Sequence, residues 1–245
     1  MKKIILTLAA LVFATAAFAQ DREIDLEDLE SFNRVELSRA GTRVETDLSF
    51  AFPMYFGWSA LTNINYKGSF ASARTPFLDM NLRRSFTYGL QLTDVNIRYG
   101  ALGLSLGLRW TFMDFVFENP DVTIRPESTG YVPVSITGIE PTYNGKKSKI
   151  HANYFGVPVR LSLNFGKATI YGGASAEYLV NGFAKYKQPQ SKMQMNTLFN
   201  RFRVTVEGGF SYGNLGVFVM YGMTPLFRQE LSDARSLTFG ILLGL

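Results

Sequence analysis

The chain has 245 residues with no cysteine, one histidine, 25 Lys plus Arg against 20 Asp plus Glu, and 14% aromatic side chains. Without cysteine there is no disulfide scaffold, no thiolate zinc site and no thiol nucleophile, and a formal charge of +5 is too weak a footprint for nucleic acid to be a partner. After the first twenty residues no apolar run approaches the length a helix needs to cross a bilayer, which excludes a helical membrane protein.

Residues 1–19 read as a signal peptide: Lys2 and Lys3 open it, an apolar stretch follows to Phe18, and Ala17-Phe18-Ala19 supplies a small-x-small cleavage site before Gln20. A membrane anchor is the other reading, but about 15 apolar residues fall short of the roughly 20 a spanning helix needs. Without Lys2 and Lys3 the mature chain holds 23 basic and 20 acidic residues, a balance of +3. Residues 20–43 form an acidic arm, with six acids and one Arg between Asp21 and Glu30. Its polarity suits a free periplasmic segment before the first strand, or else a plug crossing a lumen.

From residue 44 to 245 the organising pattern is alternation with period two, repeated eight times, as in strands with two unlike faces. Residues 44–61 place Leu48, Phe50, Phe52, Met54, Phe56 and Trp58 on one face. Residues 87–99 shift phase between Leu92 and Val95, which predicts a bulge near Asp94. Residues 102–112 set Leu102, Leu104, Leu106, Leu108, Trp110 and Phe112 against Gly103, Ser105, Gly107, Arg109 and Thr111. Then come 155–165, 168–180, 202–211, 215–223, where Phe218 and Met220 fall on the polar face, and 236–245, where Leu242 is the inward exception.

The connections alternate too. Short turns carry Gly100, Gly166-Lys167 and Gly213-Asn214, suited to tight hairpins. Long polar connections run over 62–84, 118–149, 183–200 and 224–235. Short inner turns and long outer loops are the asymmetry of outer-membrane barrels. A soluble barrel also alternates, but its polar face should be rich in Lys, Glu and Asp. Here that face is mostly Gly, Ser and Thr, which fit a narrow interior. Trp58, Tyr99, Trp110, Phe112, Phe165, Tyr178 and Tyr212 collect near strand ends as aromatic girdles would. Strand edges cannot face hydrocarbon, so the ring must close. The fold class is all-β: an eight-stranded antiparallel up-and-down transmembrane β-barrel with short periplasmic turns and long extracellular loops, located in the cell outer membrane of a Gram-negative-type cell.

The run Phe155-Gly-Val-Pro-Val-Arg-Leu-Ser-Leu-Asn-Phe-Gly-Lys, followed by Tyr171-Gly-Gly-Ala-Ser-Ala-Glu-Tyr-Leu, resembles the PorT-like outer-membrane β-barrel family, which shares an aliphatic-Pro-aliphatic strand, a short turn and a small-residue strand. The resemblance covers these two strands and implies an outer-membrane barrel without implying an activity. The chain departs from barrels that end in an aromatic residue read by the barrel assembly machinery, since it ends Leu243-Gly244-Leu245.

The inward charges Arg109, Arg160, Glu177, Arg203 and Glu207 are the candidate site, because charges in a narrow lumen are costly unless paired. They form either a structural network that blocks the lumen or the gate of a narrow channel. An enzyme is not expected: His151 is the single histidine, and a lipid A hydrolase built on it with Ser148 is a remote alternative. No phosphate loop, HExxH or EF-hand spacing occurs, so neither a cofactor nor a metal is expected. The cations Lys67, Arg74, Arg83, Arg84, Lys146, Lys147, Lys149, Lys185, Lys187 and Lys192 belong to one end of the barrel, either solvated or in contact with outer-membrane lipid and lipopolysaccharide head groups. The connection 118–149 is too long for a mere link. Its segments beginning at Val122 and Tyr131 suit an outward hairpin and a surface partner.

Overall fold

The computed structural model describes residues 35–39, 42–49, 53–72, 76–128, 130–187 and 189–244. The leader at 1–19, residues 20–34 of the acidic arm, Arg74 and Leu245 lie outside the described residues. In chain order the strands are β1 (Val35–Arg39), β2 (Thr42–Ser49), β3 (Met54–Thr62), β4 (Phe86–Tyr99), β5 (Leu102–Val116), β6 (Val122–Glu127), β7 (Gly130–Ser135), β8 (Lys147–Phe165), β9 (Ala168–Lys187), β10 (Ser191–Gln194), β11 (Phe202–Tyr212), β12 (Leu215–Gly222) and β13 (Arg235–Leu243).

Eight of them close into a ring in the order β3, β4, β5, β8, β9, β11, β12, β13 and back to β3, every pair antiparallel. The first strand is a composite. β3 pairs with the outer half of β4 and β2 with the inner half, from Val44 opposite Tyr99 to Ser49 opposite Asp94. Residues 35–39 and 42–43, assigned above to the arm, are strand, and β1 lies beside β2. The three tight turns hold Gly100, Gly166 and Gly213 at φ of 58°, 64° and 57°, the left-handed region in which two-residue hairpins turn with the twist of their strands. The residue before each of these glycines is aromatic: Tyr99, Phe165 and Tyr212.

Alternation sets the two faces. Leu102, Leu104, Val157, Val159, Leu161, Leu163, Ile170, Val204, Val206, Val217, Phe239 and Ile241 are all outward and exposed. On β9 the outward apolar run from Ile170 to Val180 rises about 33 Å along the strand. At a barrel tilt of about 40° that is a band about 25 Å tall, the height of a bilayer's hydrocarbon layer. An apolar wall of that extent is a surface for lipid.

Two bulges shift the faces. The first lies at Leu92, between Gln91 and Thr93, two residues before the position expected. The second is in β9, where Asn153 faces Asn181 but Tyr154 faces Leu179, leaving Val180 as the extra residue. Alternation through 179 does not reveal it, and beyond it the odd residues of β9 face outward.

β8 and β9 run 19 and 20 residues, well past the 9–11 a membrane crossing needs. Lys147, Lys149, Lys185 and Lys187, assigned above to loops, therefore stand on strands. The long connections also differ from the polar loops expected. Phe70, Phe77, Leu78, Ile124, Leu198, Phe199, Leu226, Phe227 and Leu231 pack on Met113, Phe115, Ile150 and Tyr154 at the outer ends of β5 and β8, forming one buried core in the outer mouth. β6 and β7 make the hairpin expected in 118–149, but it is docked: Ser69 Oγ donates to the Tyr131 carbonyl and Tyr131 Oη bonds Thr197 Oγ1, both at 2.5 Å.

The seam between β13 and β3 passes through Gly57 opposite Gly240. A Cβ at Gly240 would lie 2.1 Å from the Phe56 carbonyl oxygen and 2.4 Å from Gly57 Cα, both backbone atoms that cannot give way. Gly240→Val should therefore abolish the fast-migrating folded band on unboiled gels of outer-membrane fractions. Gly172→Ala, whose new Cβ would have no neighbour closer than 3.9 Å, should keep that band.

Candidate functional site

The lumen is too narrow for bulk water at mid-height, so a charge there loses hydration and needs a partner. Four strands supply the five charges, Arg109 from β5, Arg160 from β8, Glu177 from β9 and both Arg203 and Glu207 from β11; Arg203 lies opposite Glu177, and Glu207 opposite Gly173. The missing side chain at Gly173 leaves room for Arg160 from β8, whose Cα and Cγ would lie 3.0 Å from any Cβ placed there.

All five charges singled out in the sequence meet in one unbroken chain. Arg203 Nη2 lies 2.6 Å from Glu177 Oε2, and Arg109 Nη2 lies 3.1 Å from Glu177 Oε1. Arg109 also donates to Glu207, which in turn accepts from Arg160 Nε. The order Arg160–Glu207–Arg109–Glu177–Arg203 alternates sign at every step, so each carboxylate is held between two guanidinium groups. Arg109, Glu177 and Arg203 are at most 1% exposed.

Three tyrosines that the sequence reading did not single out complete the site. Their rings lie 5.5 Å (Tyr55), 5.4 Å (Tyr171) and 4.6 Å (Tyr154) from the guanidinium carbons of Arg109, Arg160 and Arg203. Such cation–π contact gains strength where the cation is desolvated. The signal was available for Tyr55, which stands on the inward phase between Met54 and Phe56. Tyr55, Tyr171, Phe218, Met220 and Leu242 form a second apolar layer on the turn side of the charges. Phe218, Met220 and Leu242, which broke the small-residue pattern of the lumen, thus fill it. Below them a cavity of about 310 Å³ opens at the turn end, lined by Asp94, Asn96, Ser105, Ser162 and Asn164 and reaching Arg160.

The girdle residues divide between the two ends of the wall. Tyr99, Phe165 and Tyr212 stand at the turns, 55, 59 and 62% exposed. Trp58, Trp110, Phe112 and Tyr178 stand toward the loops, where Trp110 stacks on Phe112 at 5.5 Å and Phe112 on Tyr88 at 5.1 Å.

His151 stands on the outer surface of β8. Its Nδ1 is 2.7 Å from Asp114 Oδ1, Lys149 Nζ is 2.6 Å from Asp114 Oδ2, and its ring stacks on Phe183 at 4.5 Å. Burial pushes the Asp114 pKa up, but the hydrogen bonds from His151 and Lys149 outweigh it and hold the carboxyl below its ordinary value. Ser148 is fully buried and, three residues away along β8, projects to the opposite face. The two groups of the remote hydrolase reading are therefore not brought together. Among the described residues no group of three His, Asp or Glu side chains is placed to hold a metal ion.

No family model matches the chain, and no curated protein matches it. Among solved structures it is similar to Neisserial surface protein A (NspA), with 11% identity and a TM-score of 0.39 over 81% of this chain and 99% of that one.

Glu207 holds two arginines, so Glu207→Ala takes from Arg160 its carboxylate partner and leaves the buried Arg109 with Glu177 alone. It should cost about 3–5 kcal/mol of folded stability, read as a lowered urea midpoint in detergent micelles. Lys167→Gln, in an open turn, should leave the midpoint in place.

Proposed function

We propose that this chain is an integral outer-membrane protein that carries no solute through its lumen and works through its outer surfaces, as a structural or surface-binding barrel without catalysis. The observation that supports this best is the succession of three fillings along one narrow lumen: the apolar core at the outer mouth, the five-charge chain, and the Tyr55–Tyr171 layer. A conducting path would have to break charge-assisted hydrogen bonds made by every member of the chain.

Lipid and lipopolysaccharide would be its permanent surroundings and the barrel assembly machinery its insertion route. The docked β6–β7 hairpin in 118–149 is the element that suits a surface partner. The PorT-like resemblance falls on β8 and β9, the strands that carry Arg160 and Glu177, and on that ground we place the chain near that family.

The narrow-channel reading draws on the cavity at the turn end, which reaches Arg160. Planar-bilayer recording of the purified barrel separates the two: the sealed reading expects a silent bilayer, and steady single-channel steps at neutral pH overturn it. Incubation with lipid A should leave the lipid's mass spectrum unchanged, whereas loss of an acyl chain would restore the hydrolase reading.

A further inference from the structure

The outer surface above the apolar band carries a feature that the sealed lumen does not explain. Lys147 of β8 lies directly opposite Lys187 of β9, Lys149 opposite Lys185, and Lys185 opposite Lys192 of β10. Like charges directly opposite across antiparallel strands destabilise the pairing, yet here three such pairs are stacked on three adjoining strands. Sequence alone does not bring them together, because the extra residue at Val180 is what turns Lys185 and Lys187 to the face shared with Lys147 and Lys149.

Among the described residues the one carboxylate paired with this group is Asp114, which Lys149 already shares with His151. Five ammonium groups thus face one carboxylate. Burial, then Lys149, pull the Lys147 pKa below the ordinary lysine value, with Arg84 and Lys187 adding to the effect and Asp114 opposing it. The cluster is short of negative charge.

Its height identifies what would supply that charge. On β8 the outward residues pass from Val157 and Phe155 through Asn153 and His151 to Lys149 and Lys147, so the lysines begin where the apolar wall ends. Lys192 Nζ bends back over the Phe183 ring at 4.2 Å. Lower on the same wall, Gly172, Ala174 and Ala176 of β9 lie between Val157, Val159 and Leu161 of β8 and Val204 and Val206 of β11, a strip of small side chains one strand wide, about 5 Å, flanked by larger apolar ones.

We propose that Lys147, Lys149, Lys185, Lys187 and Lys192 form a binding site for the phosphorylated headgroup of an outer-leaflet glycolipid whose acyl chains lie on the β8–β9 wall. The proposal rests on the membrane reading above. A phosphate between facing lysines turns a repulsive ladder into bridged ion pairs, and Asn153 and Asn181, which face one another in register just below the lysines, carry amide N–H groups that suit sugar or phosphate oxygens.

The test is native mass spectrometry of the barrel released from detergent micelles doped with bis-phosphorylated lipid A, with the dephosphorylated lipid and inorganic phosphate as separate arms. The expected result is one retained phosphorylated lipid, binding at least about tenfold weaker in the Lys149→Gln, Lys185→Gln, Lys192→Gln triple variant, and unaffected by Lys167→Gln at the opposite end. Heat-modifiable migration confirms that each variant is folded. Equal retention of dephosphorylated lipid, displacement by inorganic phosphate at equimolar concentration, or undiminished binding in the triple variant each overturns the site while leaving the barrel reading intact. A chain that stays monomeric in water without detergent overturns the membrane reading itself.

Discussion

Everything in this molecule follows from the requirement that backbone hydrogen bonds be closed on themselves where no water can complete them. That requirement makes the pairing of β13 with β3, running from Arg235 opposite Thr62 to Leu243 opposite Met54, the contact on which the other seven depend. Closure fixes a small radius, and the small radius dictates the interior. Glycine is needed where two backbones press together at Gly57 and Gly240, and where Arg160 leans across Gly173.

A narrow interior also explains why five charges are tolerated. An isolated guanidinium or carboxylate there would be too costly, and a simple pair would leave lone pairs and protons unused. Alternating three arginines with two glutamates engages both oxygens of Glu177 and of Glu207, while a tyrosine ring covers each arginine. The chain ties β5, β8, β9 and β11 together across the lumen, something strand pairing, which joins only neighbours, cannot do.

The eight strands, the tight turns and the inward charges were legible in the sequence because each depends on a local rule: alternation along a strand, glycine at positive φ, polar residues on the inner phase. The partners within the charge chain were less so. Arg160 and Glu177 sit on adjacent strands, yet Arg160 reaches Glu207, two strands away, and Glu177 takes Arg109 and Arg203 instead. Shear between strands sets those depths, and shear leaves no mark on composition. The outer core was hidden for a related reason. Phe70, Phe77, Phe199 and Phe227 are scattered through polar connections, and only the closed ring brings them over one opening. Val180 went unseen because a single extra residue leaves the pattern on either side intact.

The outer core joins the connection that follows β3 to the one that precedes β13. The Lys67 amide donates to the Leu231 carbonyl at 2.8 Å, Lys67 Nζ reaches Asp233, and Phe70 packs edge-on against Phe227. Segments some 160 residues apart in sequence can meet this way only after every intervening strand has been threaded and joined, so loop-closure entropy defers this assembly to the last step of folding. The same dependence makes this outer core the first part to loosen when the cylinder is strained, and amide exchange there would report on the integrity of the whole wall.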